Sequence, residues 1–249
     1  MKVSIITVCF NSEATIETTI QSVLNEDYGD IEYIIVDGKS TDKTISIIEK
    51  YKSRVTKFIS EKDDGIYFAI NKGINVATGD IVGILHADDF YADEKVISRV
   101  VKEFSEKKTD SVYGDLQYVS RNNPQKIFRS WKSGSYHSKH FLKGWMPPHP
   151  TFFVKRKFYK QFGFFNTTFL LAADYELMLR FLYKHKITSS YIPEVLVKMR
   201  TGGKSNITFK NRIKANQEDR LAWKINGLKP RKLTMILKPI SKLNQFFRK

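Results

Sequence analysis

Short apolar runs alternating with amphipathic stretches open the chain, and that alternation narrows the available folds more than any single residue does. Val3 to Cys9 runs into Asn11 and Ser12, after which Ile16, Ile20, Val23 and Leu24 share one helical face. A second run, Ile31 to Val36, leads through Asp37-Gly-Lys-Ser-Thr-Asp42 into a helix carrying Ile45 and Ile48. The pattern predicts a third strand over 55–60, a helix over 66–77 closed by Thr78 and Gly79, and a fourth strand over 81–85. Val96, Ile97, Val100, Val101 and Phe104 then mark another helix, and each helix opens on a capping residue. Strands alternating with helices predict an α/β fold: a mostly parallel sheet joined by right-handed crossovers.

Beyond about Tyr113 the rhythm changes. Strand-like pieces at 112–119 and 126–131, an aromatic loop around Trp145-Met-Pro-Pro-His149 and a helix over about 172–184 no longer alternate regularly. No internal repeat or low-complexity linker separates the halves, so a shared core with a cleft between them is expected.

The fourth predicted strand ends in two adjacent carboxylates, Asp88 and Asp89. Acids at the C-terminal edge of a buried strand stand where open α/β sheets bind ligands, and paired oxygens there suit a hard dication carrying a diphosphate. The alternative is a turn or a helix cap. With 249 residues, 41% apolar and 13% aromatic, the chain has ample material for a packed core. Its single cysteine, Cys9, excludes disulfides within the chain and cysteine-rich metal sites and points to a core thiol in a reducing compartment. The start resembles no signal peptide, and no run reaches the roughly 20 apolar residues of a membrane-spanning helix, which leads to a cytosolic expectation.

A net charge of +16 is unevenly spread: residues 208–249 hold 12 Lys+Arg and 2 Asp+Glu, or +10 of it. From Lys229 onward Leu233, Ile236, Leu237, Ile240, Leu243 and Phe247 recur at three- and four-residue steps among basic residues and no acid. A basic amphipathic helix suited to an anionic membrane surface is expected over 229–249, broken at Pro239; a helix packed on the body is the other reading.

Several motifs, in order, carry a family resemblance. They are Val3-Ser-Ile-Ile-Thr-Val-Cys-Phe-Asn11, Ile35-Val-Asp-Gly-Lys-Ser-Thr-Asp42, Glu61-Lys-Asp-Asp-Gly-Ile-Tyr-Phe-Ala-Ile-Asn-Lys-Gly73, Leu85-His-Ala-Asp-Asp89, His149-Pro-Thr-Phe-Phe153, Ala173-Asp-Tyr-Glu-Leu-Met-Leu-Arg180 and Gly202-Gly-Lys-Ser205. Over about residues 1–207 the chain resembles the inverting nucleotide-sugar glycosyltransferases of family two, with the GT-A fold. The resemblance implies a GT-A domain over 1–207, split into a Rossmann-like nucleotide-sugar-binding half (1–115) and a mixed acceptor-binding and catalytic half (116–207), followed by basic amphipathic helices over 208–249.

It also implies roles. Asp37 matches a uridine contact, although a cap of the following helix is the competing role; Thr7, Lys62, Asp63, Asn71 and Lys72 are further nucleotide-side candidates. Asp89 matches the acid that holds Mg²⁺ or Mn²⁺, and Asp88 the one facing the ribose. Ala87 replaces an acid found in some members, and His86 is read as lining the cleft rather than ligating metal. Asp174 matches the catalytic base of a single in-line displacement, with Ala173 where many members carry Glu; an N-terminal helix acid is its alternative. Glu176 is expected to pair with Arg180 at i+4. On the acceptor and diphosphate side stand Trp145, His149, Gly202, Gly203 and Lys204, with Trp131 and Tyr136 as possible stacking or packing rings.

The expected activity is transfer from a nucleotide-diphosphate sugar, a UDP-sugar by resemblance, to a saccharide or undecaprenyl-diphosphate-linked acceptor in surface-polysaccharide synthesis, at the cytoplasmic face of the membrane. A sugar nucleotidyltransferase is the alternative, opposed by the lack of a glycine-rich phosphate loop after the first strand. A nucleic-acid-binding module, prompted by a pI of about 9.7, fits less well because the positive charge gathers in a tail with an apolar stripe, so no nucleic-acid partner is expected.

Overall fold

A computed structural model describes residues 1–202, 209–231 and Thr234. The first half follows the alternation: β1 (Val3–Cys9), α1 (Ile16–Leu24), β2 (Ile31–Asp37), α2 (Thr44–Glu49), β3 (Lys57–Ser60), α3 (Ile66–Val76) and β4 (Ile81–Ile84). β3, β2, β1 and β4 lie side by side, all parallel. Their side chains divide by the two-residue period of a strand: Ile6, Val8, Ile34 and Val36 enter one core, whereas Val3, Ile5, Tyr33 and Ile35 enter the other. Helix α3 lies so close to the sheet that a Cβ at Gly73 would meet Ile6 Cγ2 at 2.5 Å.

The chain then departs from its parallel order. After β5 (Asp89–Tyr91) and α4 (Val96–Lys107) come β6 (Ser111–Val119), β7 (Ile127–Trp131), α5 (Lys139–Leu142), a 3₁₀ turn at His149–Thr151, β8 (Phe153–Lys155) and α6 (Lys157–Phe162). Helix α7 (Ala173–Met178), a π-helical turn at Leu179–Lys184, β9 (Ser189–Arg200) and α8 (Phe209–Ile225) complete the described elements. The nine-stranded sheet runs β3-β2-β1-β4-β8-β6-β9-β5, with β7 attached to β6. β8 is antiparallel to both β4 and β6, and β6 is parallel to β9. One sheet therefore crosses both halves.

Three local departures from the sequence expectation bear on the site. β4 stops at Ile84, and Asp89 begins a separate short strand that pairs with Met199 of β9. The helix expected over 172–184 changes winding after Met178, and the His185 amide reaches the Arg180 carbonyl at 2.9 Å, a π-type bond. The pairing of Glu176 with Arg180 forms within that segment at 2.9 Å. Finally, α8, in the segment expected to be a basic tail, docks on α7: Trp223 is fully buried and donates to the Tyr175 hydroxyl at 2.8 Å. Most of the stretch 229–249 expected to be amphipathic lies outside the described residues.

Candidate active site

Asp88 and Asp89 sit in a tight turn beyond β4, where the Asp89 amide donates to the His86 carbonyl at 3.0 Å. From α1 the Thr19 hydroxyl holds the carbonyls of Ala87 and Asp89 at 3.0 and 2.7 Å. At the end of β9, Arg200 donates to the Asp88 carbonyl at 2.9 Å and lays its guanidinium 4.7 Å from the Phe90 ring. The carbonyls of Ala87, Asp88 and Asp89 are thus each held by another element.

Asp89 itself is fully buried, and among the described residues neither carboxylate oxygen has a hydrogen-bond partner. Burial, followed by the neighbouring charge of Asp88, pushes its carboxyl well above the usual range. The amide and guanidinium of Arg200 oppose that shift without reaching hydrogen-bonding geometry. An orphaned buried acid is costly unless something compensates it. A hard dication fits: Mg²⁺ is commonly held by one or two carboxylates, with substrate phosphates and water completing the octahedron. Among the described residues no three His, Cys, Asp or Glu side chains are placed to hold a metal by themselves.

His86 and His149 connect this turn to the opposite wall. Their rings meet edge to face with centroids 5.8 Å apart, and His149 Nδ1 lies 3.0 Å from Asp174 Oδ2. Burial, then the charge of His149, pushes the His86 imidazole down to about 4, so it is neutral near pH 7. His149 occupies the 3₁₀ turn between two buried prolines, Pro148 and Pro150. The Thr151 hydroxyl, 3.0 Å from both the Gly114 and Pro148 carbonyls, anchors that turn.

Asp174 stands in the first turn of α7. That turn is capped from outside: the amides of Ala173 and Asp174 face the Tyr67 hydroxyl, and Glu218 of α8 accepts from the amides of Leu170, Leu171 and Ala172 at 3.1, 2.8 and 2.9 Å. Tyr118 completes this wall. It feels the charges of both Asp89 and Asp174, and the Arg129 guanidinium lies 4.0 Å from its ring.

Asp88, Asp89, His149 and Asp174, expected from sequence, are therefore connected through His86 and Tyr118. The other candidates have different surroundings. Asp37 is fully buried; its carboxylate accepts from the Ser40 hydroxyl, from the Ser40 amide at 3.0 Å and from the Ser60 hydroxyl at 2.7 Å. It ties the loop after β2 to the end of β3 and does not cap α2, which begins at Thr44 with no side-chain cap. Thr7 is buried with its hydroxyl 3.1 Å from that of Tyr33. Asn71 exchanges two hydrogen bonds with the backbone of Phe165, at 2.8 and 2.9 Å. Thr7 thus joins β1 to β2, and Asn71 ties α3 to the segment between α6 and α7.

Lys72 pairs with Glu61 at 2.5 Å and Asp63 at 2.8 Å, Asp63 Oδ2 is a buried orphan among the described residues, and Lys62 is exposed. Trp145 packs among Tyr113, Tyr136, His140 and Phe141 and donates to the Ser133 carbonyl at 3.1 Å. Trp131 is buried. Gly202 is exposed with φ +97°, whereas Gly203 and Lys204 lie outside the described residues. Sequence reasoning assigned no role to Arg200, Tyr67, Tyr118 or Arg129.

With this geometry in view, the comparisons are specific. The sequence matches Glycosyl transferase family 2 over residues 4–184. A PGL/p-HBAD biosynthesis glycosyltransferase of Mycobacterium bovis is 28% identical over 208 residues, covering 82% of this chain and 78% of the relative. The crystal structure of S. aureus TarS 1-349 superposes with a TM-score of 0.72 at 17% identity, covering 98% of this chain and 72% of TarS 1-349; TarS is also known in complex with UDP and with UDP-GlcNAc. The mannosyltransferase PcManGT of Pyrobaculum calidifontis, in complex with GDP-Man and Mn²⁺, superposes with a TM-score of 0.66 at 20% identity, covering 97% of this chain and 69% of that one. The sequence match and the shared architecture agree: the chain belongs to glycosyl transferase family 2 and is a glycosyltransferase with the GT-A fold.

Proposed function

We propose that the protein moves a sugar, with inversion, from a nucleotide-diphosphate donor to the hydroxyl of a saccharide or of a lipid-diphosphate-linked saccharide. The carrying observation is the orphaned, fully buried carboxylate of Asp89, whose charge and that of Asp174 both act on Tyr118. Asp89, with Asp88 beside it, would hold Mg²⁺ or Mn²⁺, which offsets the charge building on the departing nucleoside diphosphate. Arg200 adds fixed positive charge at that position. Asp174 accepts the proton of the attacking hydroxyl, and one positioned base suffices because an in-line displacement needs no covalent intermediate. His149 holds one oxygen of that base, and Tyr118 feels the charges of both acids.

The nucleotide half is assigned to the ends of β1, β2 and β3, with Asp37, Lys62, Asp63, Lys72 and Asp88 toward the donor and Thr7 and Asn71 behind them. Nucleotide complexes of the two structural neighbours support a nucleotide-sugar donor. A uracil nucleotide, surface-polysaccharide synthesis and an undecaprenyl-diphosphate carrier rest on the family resemblance. Trp145 shapes the acceptor wall from behind, and Gly202, Gly203 and Lys204 are assigned to the diphosphate side. No helix among the described residues is long and apolar enough to cross a membrane; peripheral attachment at the cytoplasmic face through 229–249 is part of the proposal. Screening the full chain against nucleotide sugars with Mn²⁺, reading nucleoside diphosphate release, tests the reading. Release that persists unchanged in Asp89→Asn would refute it.

A further inference from the structure

Residues 208–249 contain two acids, Glu218 and Asp219, and α8 turns both inward. Glu218 caps the backbone before α7, and Asp219 is buried beside Tyr175. At 100° per residue, Glu218, Ala222, Asn226, Asp219 and Trp223 occupy one side of the helix, all buried. The opposite arc, roughly 140° wide on the same helical wheel, carries Arg220, Ile213, Lys224, Gln217, Leu221, Lys214 and Ile225 in that order and is exposed throughout. Three cations and three large aliphatic side chains therefore alternate with no acid among them. Ile213, Leu221 and Ile225 are 48%, 40% and 46% exposed, and Leu170, beside Glu218, is 56% exposed.

From this arrangement we infer that the outer face of α8 is a docking surface for an anionic phospholipid bilayer. Interfacial helices combine apolar side chains that enter the acyl boundary with Lys and Arg that meet anionic headgroups. A second copy of the chain is a poor occupant, because a twofold contact would set Lys214, Arg220 and Lys224 against their own counterparts. Single-stranded nucleic acid favours aromatic platforms, whereas the apolar members here are aliphatic. Position gives the surface a use. Glu218 bonds the Ala172 amide, two residues before Asp174, so α8 lying on a bilayer brings the proposed base close to the headgroups. That use rests on the proposed transfer to a lipid-linked acceptor; the surface itself does not.

The test is co-sedimentation of the full chain with phosphatidylcholine vesicles, with and without phosphatidylglycerol, alongside nucleoside diphosphate release in solution. The triple variant Lys214→Glu, Arg220→Glu, Lys224→Glu is expected to lose on the order of a hundredfold in partitioning onto the anionic vesicles, given roughly fivefold per basic residue. The variant Ile213→Ser, Leu221→Ser, Ile225→Ser, which keeps the charge, is expected to lose about tenfold or more. Neutralising Lys238, Lys242, Arg248 and Lys249 to Gln leaves the α8-dependent share intact. Trp223 fluorescence reports whether α8 stays docked in each variant. Wild-type partitioning by both α8 variants overturns the inference, as does self-association or RNA binding through this face without vesicle binding. Vesicle binding that depends on α8 in a protein inactive toward every donor sinks the proposed function and leaves the surface standing.

Discussion

His149 Nδ1 lies 3.0 Å from Asp174 Oδ2, and His149 sits in a 3₁₀ turn with Pro148 and Pro150 as its chain neighbours. One oxygen of the proposed base is therefore held by a rigid loop, which aims the other. Asp174→Asn removes the base and is expected to lower kcat by about 10²- to 10⁴-fold while donor binding persists. His149→Ala is expected to lower kcat by about tenfold to a hundredfold, the usual effect of slight misplacement, with donor KM nearly unchanged. His149→Asn, which restores a donor, should recover part of the loss. Steady-state kinetics with saturating donor would reject the positioning role if only thermal stability changed.

Asp89 gives a second, less intuitive expectation. A buried carboxyl without a hydrogen-bond partner is a cost to folding, because burial and then the charge of Asp88 disfavour its ionised form. Asp89→Asn is therefore expected to leave the melting temperature of the metal-free protein unchanged or raised. The same variant should lose the stabilisation by Mn²⁺ with nucleoside diphosphate, which for the wild type is about 2.7 kcal/mol at a hundredfold excess over Kd. Thermal melts of both proteins, with and without ligand, read both outcomes. An undiminished Mn²⁺ response in the variant would place the ion elsewhere.

The parallel half of the fold was readable because each strand and helix keeps a clean period: Ile5 and Ile6 face opposite cores, and Ile16, Ile20 and Val23 line one helix face. β9 was not readable. Gly114 pairs with Ile192 but Asp115 with Val195, so Pro193 and Glu194 bulge out of register and interrupt the alternation. β5 is only three residues long, and its existence depends on β9. The acids of the site were legible from their place after a strand or at the start of a helix. Arg200, Tyr67 and Tyr118 were not, because what recruits them is distance in space: Arg200 is 112 residues from Asp88. Asp37 shows the opposite limit: a strand-end acid followed by Ser and Thr reads equally as ligand or helix cap, and its bonds to Ser40 and Ser60, which tie two loops together, are not visible in that local pattern.

Glu218 joins stability to the site across a long sequence gap. Its carboxylate receives three consecutive amides, Leu170 to Ala172, just before the turn bearing Asp174. Glu218→Ala removes the acceptor of all three amides, the Ala172 one buried, and is expected to cost about 1–3 kcal/mol. Denaturant unfolding measures the loss. Because the start of α7 loses its tether, kcat should fall at temperatures where the variant is still folded, and an unchanged kcat would separate the cap from catalysis.

Glu26 supplies a pH dependence away from the site. Its Oε2 accepts the Ile97 amide at 2.8 Å, whereas Oε1 is buried without a partner among the described residues. Burial pushes this carboxyl up to about 8, opposed by the Ile97 amide, and the charges of Asp27 and Asp93 add to the rise. The folded chain therefore keeps a proton that the unfolded chain releases near 4.5. Between those values the folded state binds more protons, so this group's contribution is fully present below about 4.5 and is lost as pH rises through about 8. Glu26→Gln retains the acceptor for Ile97 without a charge to bury. Wild type and variant should have similar melting temperatures in mild acid, and the variant should be the more stable above about pH 8. Parallel melting-temperature profiles across that range would show that Glu26 ionises in the folded protein as readily as in the unfolded chain.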